Sequence, residues 1–166
     1  EGRVYPVNNH RISVTLRQSV LEARYFADLG KSAEEIVRYL EEDGLNSSIY
    51  LAVNTLEYLK RSGRVTPAGA AIGTVLNIKP ILKGNELGQI VTAEKVRGSA
   101  RALKALAERY DAEVREPEKQ IVGIAHADNP EGAAQLAALL RENNPPKEIL
   151  TVCYEPVTGA HVGPGT

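Results

Sequence analysis

Methionine and tryptophan are absent from this 166-residue chain, and cysteine and phenylalanine occur once each. The lone thiol, Cys153, has no partner for an intrachain disulfide, and no Cys/His cluster has zinc-ligand spacing, which fits a reducing compartment, most simply the cytoplasm. Without methionine, Glu1 is not a translation start, so removal or omission of an upstream segment is expected. No apolar run approaches the ~20 residues that span a bilayer, and no basic-then-apolar signal segment opens the chain. Charge of one sign is not in excess: Lys plus Arg (20) nearly cancel Asp plus Glu (21), so no whole-chain field draws in nucleic acid or an anionic membrane. The phosphate-cradling spacings GxGxxG and GxxxxGK[ST] are missing, as is the GxSxG nucleophile elbow, which argues against nucleotide binding and serine-hydrolase chemistry.

What is present is 43% hydrophobic residues, enough for a sizeable core, patterned as alternating strands and helices. Val4 to Asn8 ("VYPVN") reads as a short strand; Leu16, Val20, Ala23 and Ala27 then recur at helical spacing up to Gly30. Ser32 and Glu35 form a capping box that opens a second helix. "SSIYLAV" is a strand running into "NTLEYLKRSG", a helix capped by Asn54 or Thr55 and closed by Gly63; Thr66 and Pro67 start the next helix. "NIKPILK" and "QIVTAEKV" flank "GNELG" as a hairpin. A long helix from Ser99, a buried strand "QIVGIAHA", a helix opening at Asp128 to Pro130, and a strand "EILTVCYE" after the "NNPP" break complete the chain. A hairpin combined with β-α-β crossovers predicts a two-layer α/β domain with a mixed sheet.

Three local clusters could carry function. Arg64 follows the Gly63 turn and precedes the helix expected at Thr66, where an anion would meet a guanidinium and unpaired N–H groups; read locally, cations there also simply complement a helix dipole. Lys95 and Arg97 end a strand before Gly98 and Ser99, an anion site, a charged docking patch or a solvated strand end. Among the histidines, His126 is held by the turn that follows it, His10 lies in a surface loop, and His161 in "GAHVGPG" is presented on a glycine-shaped loop. No catalytic residue and no metal ligand is assigned.

Taken together, "NTLEYLKRSGRVTPAGAAIGTVLNIKPIL", "EKVRG", "HADNPE" and "GAHVGPG" occur in the order and spacing of the DegV family of bacterial fatty-acid-binding proteins, and Asn54 to Gly165 resembles that family throughout. The resemblance implies a non-enzymatic lipid-binding protein without cofactor: an N-terminal α/β/α domain, a C-terminal two-layer domain, and a long-chain fatty acid in the tunnel between them. In members serving fatty-acid kinase, it further implies presentation of the acyl carboxylate to a separate kinase. By motif, Arg64 and His161 match residues near the bound carboxylate; Arg97, beside Lys95, matches the arginine implicated in engaging the kinase. Residues 1–45 are expected to be the remnant of the first domain, one strand and two helices, and residues 46–166 the lipid-binding domain.

The departures are specific. Asn8 and Asn9 stand where relatives read "DS", Ser62 turns "GGRI" into "SGRV", and Arg17 lies near a usual glycine. The hydroxyl-rich motifs of the first domain and the strand after "GPG" have no counterpart. Half a tunnel is therefore expected to bind fatty acid weakly, to self-associate or pair with the missing domain, and to leave His161 poorly fixed. Two alternatives follow: a subunit like that of dihydroxyacetone kinase, with His161 or His126 binding a carbonyl substrate, and a ligand-free docking module using Lys95 and Arg97.

Overall fold

A computed structural model describes residues 4–43, 46–65 and 77–166. They group into two compact units, one drawn from Glu1–Ile49 with Glu86–Gly88 and the other from Tyr50–Asn85 with Gln89–Thr166.

In the first unit, the strand expected at Val4 to Asn8 does not form. A strand needs a hydrogen-bonded neighbour, and none pairs with it among the described residues; Val4 is 86% exposed. The segment is instead pinned by Asn9, a buried polar residue whose Nδ2 donates to Ser19 Oγ at 2.8 Å. Helix α1 spans Val14–Asp28 and ends with Gly30 N–H on the Ala27 carbonyl and Lys31 N–H on that of Phe26. Helix α2, Ala33–Asp43, is opened by the expected reciprocal box: Ser32 N–H donates to Glu35 Oε2 (2.9 Å), and Glu35 N–H to Ser32 Oγ (3.2 Å). The helices meet through the rings of Phe26 and Tyr39, edge to face at 4.5 Å. Leu16 and Val20, which recur at helical spacing on α1, are exposed.

The second unit holds every candidate site residue. Strand β1 (Tyr50–Ala52) leads to the short helix α3 (Glu57–Arg61). Strands β2 (Ile78–Gly84) and β3 (Ile90–Arg97) form the expected hairpin, its turn closed by Asn85 N–H on the Gln89 carbonyl and Gln89 N–H on Asn85 Oδ1. The β1-β2-β3 sheet is antiparallel, with register Leu51 to Leu82 and Pro80 to Lys95 and an irregularity at Ile81/Leu82. The helix expected from Thr66 and Pro67 lies outside the described residues.

Helix α4 (Ser99–Glu113) covers this sheet, burying Ala102 and Ala105 against Ile81 and Val96. Strand β4 (Ile121–His126), helix α5 (Pro130–Leu140) and strand β5 (Glu148–Cys153) form a parallel crossover with register Val122 to Ile149 and Ala125 to Val152. Asn129 caps α5 by accepting from Gly132 N–H (3.1 Å), with Pro130 at the first helical position, as the sequence reading required. The link from α5 to β5 is clamped to α4, where Asp111 accepts from Asn143 and Asn144 and the Tyr110 hydroxyl donates to the Asn144 carbonyl. Antiparallel and parallel pairing thus both occur, as a mixed α/β architecture demands, divided here between two ladders. Helix α6 (Pro156–Val162) follows β5 and packs against α3.

Candidate functional site

Arg64 is placed by the end of α3. Thr55 Oγ1 accepts from Glu57 N–H at 3.2 Å at the start of this helix, and Arg64 N–H returns to the Leu59 carbonyl at 2.8 Å. The Arg64 side chain is exposed, and its Nη1 donates to the Ser62 carbonyl. The Ser62 hydroxyl, where the family motif has glycine, donates to the Tyr58 carbonyl at 2.9 Å.

His161 corrects the sequence reading. It lies in the last turn of α6, not on a loop. Glu155 at the N-cap, accepting from Thr158 N–H at 2.9 Å, and Pro156 at the first helical position start a helix that the glycine content around His161 concealed. Nor is the region loosely held. Gly165 N–H donates to the Ala127 carbonyl (2.7 Å) and Ala127 N–H to the Thr166 carbonyl (3.0 Å), so the chain end pairs with the exit of β4. Asn54 Nδ2 donates to the Pro164 carbonyl, Asn129 Nδ2 to that of Gly165, and Thr166 Oγ1 to that of Val162.

Two glycines permit this docking. A Cβ on Gly163 would run into the Tyr58 ring, and one on Gly165 into the Asn54 amide; both residues have left-handed φ, 79° and 82°. The "GPG" segment is therefore a backbone surface fitted to α3.

A buried cluster joins these elements: Val53, Leu56, Leu59, Leu82, Ala127 and Val162, with Val65 and Tyr154 packed against it. Val162 is the chain neighbour of His161, and Val65 that of Arg64, so each of the two motif-matched residues lies one position from a residue packed in this cluster. Lys95 and Arg97 are on another element, exposed at the end of β3. His126 behaves as read: its Nδ1 accepts from Asn129 N–H at 3.2 Å, and its carbonyl from Tyr154 N–H at 2.8 Å. His10 is an exposed residue of the first unit, with φ 53°.

The open apolar wall that half a tunnel implies is expected, but the sequence reading does not locate it. Val122, Ile124 and Ile149 turn toward α5, so by alternation Ile121, Ala125, Leu150 and Val152 form the opposite face of the parallel pair. Parallel strands are usually covered on both faces, yet Ile121 and Val152 are 40% and 39% exposed. Their apolar runs read as buried strands, and period alone does not say which face lacks a cover.

Two titrating groups adjoin the site. Hydrogen bonds from the Thr158 hydroxyl and backbone hold the Glu155 carboxyl below its ordinary range. Burial, and then the Glu155 charge, push the Tyr154 phenol up. Among the described residues no cluster of three or more His, Cys, Asp or Glu could hold a metal ion, and no helix is long and apolar enough to cross a membrane.

The sequence model described as "Uncharacterised protein, DegV family" matches residues 1–166. A DegV domain-containing protein of Clostridium perfringens is 39% identical over 137 residues, covering 82% of this chain and 47% of the relative. The fold matches a DegV family protein of Ruminococcus gnavus, solved with vaccenic acid, at a TM-score of 0.90 and 28% identity over 99% of this chain and 59% of that one. It also matches a fatty-acid-binding DegV family protein of Thermus thermophilus at 0.87 and 30%, with the same coverage of 99% and 59%. The chain spans about half the length of the curated relatives it matches. With the family match running end to end, and the "GPG" turn fitted to α3 as a built feature of the fold, the chain belongs to the DegV family.

Proposed function

We propose that this chain supplies one wall and part of the head-group site of a long-chain fatty-acid-binding protein, a binding rather than catalytic component that presents the carboxylate to a separate fatty-acid kinase in the bacterial cytoplasm. The carrying observation is the juxtaposition around one core cluster. The elements bearing Arg64 and His161 meet there, and the uncovered row of Leu150 and Val152 leads to Tyr154 in the same cluster. A guanidinium and an imidazole N–H suit a carboxylate, while each buried CH₂ adds about 0.8 kcal/mol. One relative of the same fold was solved with vaccenic acid, and another is described by its fatty-acid binding. Residues 1–45 are assigned to the remnant of a first domain and 46–166 to the lipid-binding domain. A wall open on one side binds weakly and favours self-association or pairing with a covering domain.

Titration of the chain with carboxyl-¹³C oleate, followed by NMR, tests the reading because it detects weak binding. The carboxyl resonance should shift saturably, and Arg64→Ala and His161→Ala should each weaken binding about ten-fold, the worth of a charge-assisted hydrogen bond. Unaltered affinity in both variants would refute the head-group assignment.

A further inference from the structure

Tyr154 stands where the apolar wall meets the cluster between α3 and α6. It follows β5 and extends its ladder through the N–H donated to the His126 carbonyl. By alternation it falls on the side of Leu150 and Val152, not the α5 side of Ile149. Its ring packs against the cluster of Leu59, Ala127 and Val162, next to Val65. Burial disfavours the phenolate, so the group stays a donor across the neutral range. Tyr154 is half-buried and its Oη makes no hydrogen bond among the described residues, where no buried side-chain oxygen is left without a partner, so the hydroxyl tip is open at the edge of the cluster and free to donate.

We propose that Tyr154 determines specificity for the acid head group, its hydroxyl donating a hydrogen bond to the fatty-acid carboxylate at the end of the β4/β5 wall. The inference rests on the fatty-acid reading above and adds a third donor to Arg64 and His161. Tyr154 has the reach of a phenol and one apolar ring face, so it contacts the first methylenes while its tip meets the carboxylate. An uncharged head group gains much less from such a donor than a carboxylate does.

Tyr154→Phe keeps the ring and deletes the hydroxyl. Binding of oleate and of oleyl alcohol is compared for wild type, Tyr154→Phe, Arg64→Ala and His161→Ala, with thermal midpoints in parallel. Expected is about a ten-fold loss of oleate affinity in Tyr154→Phe, oleyl alcohol within about two-fold of wild type, and an unchanged midpoint. Wild-type oleate affinity in Tyr154→Phe, alongside weakened Arg64→Ala or His161→Ala, overturns the role of Tyr154 and leaves the fatty-acid reading intact. Equal losses for oleate and oleyl alcohol overturn it too, since the residue would then act by packing alone. No effect in any variant, or no saturable oleate binding by wild type, overturns the reading and the inference together.

Discussion

Asn54 and Pro164, 110 residues apart in sequence, are joined by a hydrogen bond of 3.1 Å from Asn54 Nδ2 to the Pro164 carbonyl. The same amide accepts from Lys79 Nζ at 2.8 Å, so one side chain ties the exit of β1, strand β2 and the terminal turn together. Asn54→Ala should cost about 1 kcal/mol in urea unfolding, the worth of an exposed neutral hydrogen bond with its charged neighbour. Gly165→Ala should cost more, because its Cβ enters the Asn54 amide and its φ of 82° disfavours any side chain. Wild-type stability in both variants would show that the turn does not dock against Asn54.

The cap of α6 gives a pH dependence. Glu155 is held below the ordinary carboxylate range mainly by the Thr158 hydroxyl and backbone, so the folded state favours its ionised form. A depressed folded pKa means a contribution fully present above the unfolded value and lost as pH falls through the folded one. The Thr158 amide should therefore lose hydrogen-exchange protection on acidification, and Glu155→Gln should flatten that dependence. Protection of Thr158 that is insensitive to acid in wild type would contradict the cap.

Local chemistry made much of this fold legible. The Ser32–Glu35 box, the hairpin through "GNELG" and the helix opening at Asp128 to Pro130 are local signals and each is found, the structure adding that Asn85 closes the turn on Gln89 and that Asn129 is the cap. Failures occurred where the deciding partner lies far along the chain. Val4 to Asn8 has strand composition but no pairing neighbour among the described residues, and is held through Asn9 to Ser19. His161 looked loop-borne because Gly159 and Gly163 surround it, whereas Glu155 and Pro156 start a helix that Gly163 ends. The fitting of Gly163 to Tyr58, and the bare side of the β4/β5 pair, are tertiary facts that no local pattern encodes.

Arg97 tests the partner assignment. It closes β3 opposite Ile78, exposed like Lys95, which pairs with Pro80, and both side chains point away from the buried Val96. Reversing this charge disturbs no core contact, so Arg97→Glu should change folding stability by less than about 0.5 kcal/mol. Against the catalytic subunit of a fatty-acid kinase, measured on a biosensor, the same change should weaken association about ten-fold or more at low salt. Wild-type binding should itself fall steeply as ionic strength rises, because exposed charges beyond about 8 Å are screened at physiological salt. A kinase affinity indifferent both to Arg97→Glu and to salt would remove this edge of the sheet as the docking surface, while leaving the head-group site of Arg64 and His161 to stand on its own titration.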